Sequence, residues 1–247
     1  MLITDSMVFL MASGLFLLAL ISGMLGLGVA FVAVPFLSFF FSDLVHQVQP
    51  LSLLLNGVTA FFAVFGFAQS RLVSWRKAVL LALVTTTFAP LGSWLVHQVE
   101  VRLVWWIYLG AVIYLAYNLF KPVRKGYVRE RFSIAMILAM PISVLSGFLG
   151  VGPGFLLMPV LILTGHDPKQ AAAINAFAVM PPSFSALLPH IHTAQLNLNT
   201  TLILVTVGAL GSYLGSRITS LYVPQRHLKH IFGVVLVLVT LYRFLRV

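Results

Sequence analysis

The chain has no cysteine, and only five of its 247 residues are acidic. The first absence rules out disulfides, thiol redox chemistry, iron–sulfur clusters and thiolate metal sites. The second matters because of where the acids fall. Asp5, Asp43, Glu100, Glu130 and Asp167 all stand at or beyond the ends of apolar stretches. Proton relays and cation sites inside membranes usually depend on buried carboxylates, so a metal-cation carrier and a carboxylate-based proton pump are disfavoured. There is also no nucleophile elbow, phosphate loop, zinc motif or carboxylate pair. The chain is not expected to be an enzyme, and nothing in it asks for a cofactor.

Charge of either sign is scarce. Charged residues make up 8% of the chain, against roughly 25% in a soluble domain whose surface must face water. Hydrophobic residues make up 60%, and the mean hydropathy is +1.05. These values describe an all-α integral membrane protein that crosses a lipid bilayer several times. The net charge of +10 would suggest a nucleic-acid partner in a soluble protein. Here Lys and Arg lie in short connections, where cytoplasmic loops collect them, and no nucleic-acid partner is expected. The N-terminus carries Asp5 in place of a basic region and runs on past the length of a cleavable signal, so it is expected to be retained.

Apolar stretches cover residues 7–41, 50–69, 77–97, 103–120, 133–164, 170–189, 200–216 and 230–245. Six are near the roughly 20 residues of a spanning helix; the first and fifth are much longer. A continuous helix over 7–41 would measure about 50 Å, against a hydrocarbon core of about 30 Å. Each long stretch must tilt, kink or fold back. Both carry a glycine cluster near the middle, where the backbone can leave helical angles.

The two clusters match. Ser22-Gly23-Met24-Leu25-Gly26-Leu27-Gly28 returns 124 residues later as Ser146-Gly147-Phe148-Leu149-Gly150-Val151-Gly152. Phe31/Phe155 and Pro35/Pro159 extend the match, and Gln47/Gln170, Gly92-Ser93/Gly211-Ser212 and Gly110/Gly233 accompany it. A helix-breaking motif repeated at matching depth points to a transporter built by duplication. The expected organisation is a first membrane repeat over 1–120, a basic cytoplasmic linker over 121–132 and a second repeat over 133–247. Each repeat has about four apolar elements, the first broken or re-entrant at its Gly-rich motif. If the long stretches cross once, the repeats are parallel, with 10 Lys and Arg inside and 5 outside; if they fold back, the repeats are inverted and the split is 12 to 3. The positive-inside rule therefore favours inversion, with both termini outside.

An anion suits what the breaks offer. Short half-helices meeting at a Gly-rich break present backbone N–H groups and the positive end of the helix dipole. The expected site combines Ser22, Gly23, Gly26 and Gly28 with Ser146, Gly147, Gly150 and Gly152; the competing explanation is that these glycines only permit close packing. Asn56 and Asn175, each in the stretch after a break, are candidate donors or helix–helix links. With Gln47 matched to Gln170, Asn175 falls opposite Ser52, so the asparagines are not expected to be counterparts. Gly208, Gly211/Ser212 and Gly215/Ser216 form a ridge suited to helix packing. Pro181-Pro182 should interrupt the sixth stretch. His190 and His192 are better explained as interface residues than as metal ligands, and no metal site is expected. Arg71 and Arg76 fit membrane anchoring as well as anion attraction.

The duplicated Ser-Gly-x-x-Gly-x-Gly…Pro segment, the two later Gly-Ser pairs and the overall length resemble the TauE/SafE sulfite exporter family, also called the toluenesulfonate uptake permease family. The chain departs from it at Val29-Ala30 and Pro153-Gly154 after the breaks, and at Val73-Ser74-Trp75-Arg76 and Asn197-Leu198-Asn199. The resemblance implies a multi-pass carrier of a bacterial inner membrane that moves sulfur oxyanions or organosulfonates such as sulfite or sulfoacetate, with a homo-oligomer compatible. A passive anion channel and a non-transporting accessory protein are the alternatives.

Overall fold

A computed structural model describes residues 5–95, 110, 130–149, 151–190, 193–224 and 234. The apolar stretches at 103–120 and 230–245, most of the linker, and Gly150 lie outside the described residues. All regular structure among the described residues is helical. In chain order the helices are α1 (Asp5–Leu25), α2 (Ala30–Leu37), α3 (Gln49–Ala68), α4 (Trp75–Leu95), α5 (Phe132–Leu149), α6 (Gly154–Leu163), α7 (Pro168–Leu187) and α8 (Leu198–Leu221). A π-helical turn, Leu44–Val48, leads into α3, and a 3₁₀ turn, Leu188–His190, follows α7. Three described helices are long and apolar enough to cross a bilayer: Ser6–Leu25, His46–Ala68 and Leu198–Leu221.

Neither long stretch is one rod. The chain leaves the helix after Leu25 and re-enters it at Ala30, and leaves again after Leu149 to re-enter at Gly154. Both stretches then turn back along themselves. A methyl group on Gly14 of α1 would lie 2.5 Å from Cζ of Phe36 in α2, so α2 returns beside α1. In the other stretch the Arg131 N–H, just before α5, donates to the Thr164 carbonyl just after α6 at 2.9 Å.

The two halves of the chain embrace each other. α1 packs chiefly on α8 and α5 chiefly on α4, so each broken stretch lies on a helix of the opposite half. α3 and α7 pack on each other at the centre, with α8 against α3 and α4 against α7. The small-residue ridge of α8 makes this closeness possible. A methyl group on Gly211 would lie 2.7 Å from the Phe16 carbonyl oxygen, and one on Gly215 would collide with the Leu20 carbonyl. Ser212 Oγ donates to the Thr59 carbonyl of α3 at 2.7 Å, a side-chain link of the kind that holds helices together in lipid.

The helix α7 runs straight through Pro181 and Pro182, which corrects the expectation of an interruption. Each proline removes one backbone N–H from the ladder. The carbonyl freed by Pro182 is that of Ala178, and it accepts from Thr85 Oγ1 of α4 at 2.8 Å. A neighbouring hydroxyl thus replaces the missing donor, which is how membrane helices tolerate proline.

Among the described residues, Lys and Arg gather at one end of the bundle. Arg217 Nη1 donates to Ser70 Oγ at 3.2 Å and Lys169 Nζ to the Ser220 carbonyl at 3.1 Å, while Lys77 pairs with Glu130. These contacts gather the segments around 69–77, 130–131, 164–169 and 213–220. Every described Lys and Arg (Arg71, Arg76, Lys77, Arg131, Lys169 and Arg217) belongs to them. At the opposite end the Gln195 N–H donates to the His46 carbonyl at 2.8 Å, joining the connections before α3 and α8.

Replacing Gly215 with Val should therefore lower the stability of the detergent-purified protein by about 1–3 kcal/mol, the usual range for overpacking. Gly208→Ala, whose nearest neighbour would be the Thr59 side chain at 3.2 Å, should change it far less. Thermal unfolding of the two variants checks the ordering.

Candidate functional site

The first break is built as a helix stop. The Leu27 N–H donates to the Ser22 carbonyl at 3.0 Å and the Gly26 N–H to the Gly23 carbonyl at 3.2 Å. Gly26 has φ +62. This is the paired-bond C-cap in which a left-handed residue answers the last free carbonyls of a helix. At the second break the Val151 N–H donates to the Ser146 carbonyl at 3.1 Å, the matching bond. Gly28 also lies at positive φ, +68, and a side chain there would be strained whatever the space around it.

Between the breaks stands Asn56 of α3. It is fully buried. Its Oδ1 accepts the Ala30 N–H at 2.8 Å, capping the first turn of α2, and its Nδ2 donates to Ser183 Oγ of α7 at 2.7 Å. A methyl group added at Gly28 would collide with Oδ1, and one at Gly152 would collide with Nδ2. One carboxamide is thus wedged between the third glycines of both motifs.

Asn175 of α7 is also fully buried. Its Nδ2 donates to the Gly26 carbonyl at 2.7 Å and to the Gly154 carbonyl at 3.2 Å, one from each break. Its Oδ1 has no hydrogen-bond partner. α3 and α7 are both 20 residues long, and each asparagine is the eighth residue of its helix. They occupy the same position in their helices, whereas matching Gln47 with Gln170 sets Asn175 opposite Ser52. Asn56 stands 28 positions after Gly28 and Asn175 stands 23 after Gly152, so the first half carries five more residues between break and asparagine. That insertion shifts Gln47 out of register.

The breaks also touch directly. A methyl group on Gly154 would lie 2.7 Å from the Leu27 carbonyl oxygen. Phe31 and Phe155, the matched aromatics at the second positions of α2 and α6, stack with centroids 5.2 Å apart. The structure thus brings Gly26, Gly28, Gly152, Asn56 and Asn175 into one crossing. Gly23 and Gly147 lie elsewhere: they face the backbone at Ser212 and Ala89 and serve helix packing. Ser22 and Ser146 are buried and lend their carbonyls to the helix stops, with Ser22 Oγ unpartnered. Ser183 and the Ala30 N–H were missed by sequence reasoning. The 119-residue interval shared by Asn56/Asn175 and Gly92/Gly211 was the available signal for the asparagine pairing.

A second polar cluster sits at the basic end. Lys77 pairs with Glu130, whose Oε2 lies 4.0 Å from Nε2 of the buried His166. The hydrogen bond from Lys77 holds the Glu130 carboxyl below its ordinary value. Burial lowers His166, and Lys77 lowers it further. At the other end, burial and the neighbouring His46 lower His190. Among the described residues, no three His, Cys, Asp or Glu converge as a metal site would require.

A family model described as "Sulfite exporter TauE/SafE" matches residues 10–243. A "probable membrane transporter protein" of Methanocaldococcus jannaschii is 22% identical over 188 residues, covering 71% of this chain and 69% of that protein. A protein of the same description from Xylella fastidiosa is 26% identical over 234 residues, covering 89% and 88%. No solved structure matches the chain.

Gly152→Ala should destabilise the protein, and Asn56→Ala should relieve much of that penalty because the colliding amide is gone. A double-mutant cycle by thermal unfolding should return a coupling of about 0.5–3 kcal/mol. A second outcome concerns pH. His166 is held below its ordinary value of about 6.5, so the folded chain binds fewer protons than the unfolded one below that pH. Stability should be fully present above about pH 6.5 and fall as the medium is acidified. His166→Gln should flatten that slope in unfolding scans across the same range.

Proposed function

The chain belongs to the TauE/SafE sulfite exporter family of membrane transporters, and from that membership we propose that it is a carrier of small sulfur oxyanions or organosulfonates, working by alternating access around the crossing of its two breaks. The observation that carries this is the convergence of two interrupted stretches on Asn56 and Asn175. The N-terminal turns of α2 and α6 begin at this crossing, and helix N-termini suit anionic groups. No acid was expected at this depth, and the described ones, Asp5, Asp43, Glu130 and Asp167, lie at helix ends or in connections.

The two halves are inverted repeats. The fold-back of both long stretches and the reciprocal packing of α1 on α8 and α5 on α4 support this. The basic end is cytoplasmic by the positive-inside rule, in a bacterial inner membrane. With the glycine faces filled by Asn56 and by the Ala172 carbonyl, the crossing is closed in this conformation. Substrate enters when one repeat rocks against the other.

Proteoliposomes loaded with unlabelled sulfite should take up labelled sulfite faster than empty ones, and the uptake should saturate. Saturable counterflow is the mark of a carrier; uptake that neither saturates nor responds to internal sulfite would indicate a channel. Failure to move sulfite, thiosulfate, sulfoacetate or taurine would overturn the substrate class. Asn56→Ala should reduce the uptake at least tenfold, on the order of the loss when a buried amide capping a helix at the site is removed.

A further inference from the structure

The two asparagines at the crossing occupy the same position in their helices but are not equally satisfied. Asn56 uses both ends of its amide, Oδ1 on the Ala30 N–H and Nδ2 on Ser183 Oγ. Asn175 uses only its nitrogen, on the carbonyls of Gly26 and Gly154. Exchanging its oxygen and nitrogen would set an oxygen against two carbonyl oxygens, so the amide orientation is fixed by its surroundings. An obligate acceptor, Oδ1, is therefore left buried and unpartnered among backbone groups of both breaks. Such a group keeps its full desolvation cost while it stays unpaired.

Several hydroxyls in the bundle also lack partners: Ser22, Ser52 and Thr219 Oγ atoms among them. These stand in helices and can turn to their own preceding carbonyls. Asn175 Oδ1 has no such option, because a carbonyl oxygen can only wait for a donor. The neighbouring half-helix starts supply donors for an anion's oxygens but nothing for a ligand atom that faces Oδ1 with a lone pair.

We propose that the crossing favours anions carrying their own hydrogen-bond donor, and that Asn175 Oδ1 is the specificity-determining group that accepts it. The ligand class is hydrogensulfite, or a sulfonate with a hydroxyl or ammonium group, over sulfonates and dianions that offer only acceptors. This rests on the anion-carrier function proposed above. Its physical basis is the strong discrimination shown by sites in which a buried polar group is left unpaired by the wrong ligand.

The test is a matched pair of ligands on the purified full-length chain: 2-hydroxyethanesulfonate against 1-propanesulfonate, which differ by a hydroxyl in place of a methyl at equal charge. Taurine serves as the ammonium counterpart. Binding is read by calorimetry and by thermal shift, since a ligand of the folded state raises its apparent stability. The hydroxylated or ammonium ligand should bind at least about tenfold more tightly than propanesulfonate. In Asn175→Ala the ratio should fall to near one. Equal binding of the pair by the unaltered protein would overturn this inference and leave the anion carrier standing. No binding of any of the three, nor of sulfite, would overturn both. A preference that survives in Asn175→Ala would take the role away from Asn175. The ligand comparison on the unaltered protein decides the matter even if that variant does not fold.

Discussion

The hydrocarbon interior of a bilayer offers no water to a backbone group that loses its partner, and this constraint governs the centre of the bundle. Two long helices stop there, and each stop frees carbonyls at one side and N–H groups at the other. The chain answers them locally with the Gly26 cap and its matching Val151–Ser146 bond. The rest is answered from outside. Asn56 reaches one N–H of α2, and Asn175 reaches one carbonyl from each break. Both asparagines come from the two helices that pack on each other at the centre. The breaks can exist only where these amides reach them.

Glycine is what lets the amides reach. The third glycine of each motif leaves room for one face of the Asn56 side chain, and a methyl group on either would collide with it. The second glycine of the first motif presses on the Ala172 carbonyl and takes a left-handed angle. The first glycines do different work at a distance, bringing α1 onto α8 and α5 onto α4. A single motif thus carries three separate demands: close helix packing, a helix stop and contact with a buried amide. The proline pair of α7 obeys the same rule, since Thr85 replaces the donor that Pro182 lacks.

The transport cycle proposed above would act on the same arrangement. Each broken stretch lies on a helix of the other half, so the halves cannot shift without changing the relation of the breaks to α3 and α7. The cluster of Lys77, Glu130 and His166 ties the start of α4, the end of the linker and the turn between α6 and α7 at the basic end. At the opposite end the Gln195–His46 backbone bond joins the two halves as well. Lys77, at the foot of a helix, and Glu130, at the end of the linker, gave no sequence signal of meeting, because 53 residues separate them.

The sequence by itself determined the membrane class, the helical architecture and the positions where α1 and α5 end. Composition, run length and glycine spacing are properties of the chain alone, and bilayer thickness turns them directly into structure. The positions of Asn56 and Asn175 were also visible, but their relation was obscured by the five extra residues between the first break and Asn56. Only the tertiary structure decided that the two amides meet both breaks, that Ser183 and the Ala30 N–H complete the crossing, and that α7 passes intact through its prolines. Those outcomes depend on which groups from distant helices arrive within hydrogen-bond reach. Local propensity can mark where a backbone group will lose its partner, but the packed bundle decides which side chain replaces it.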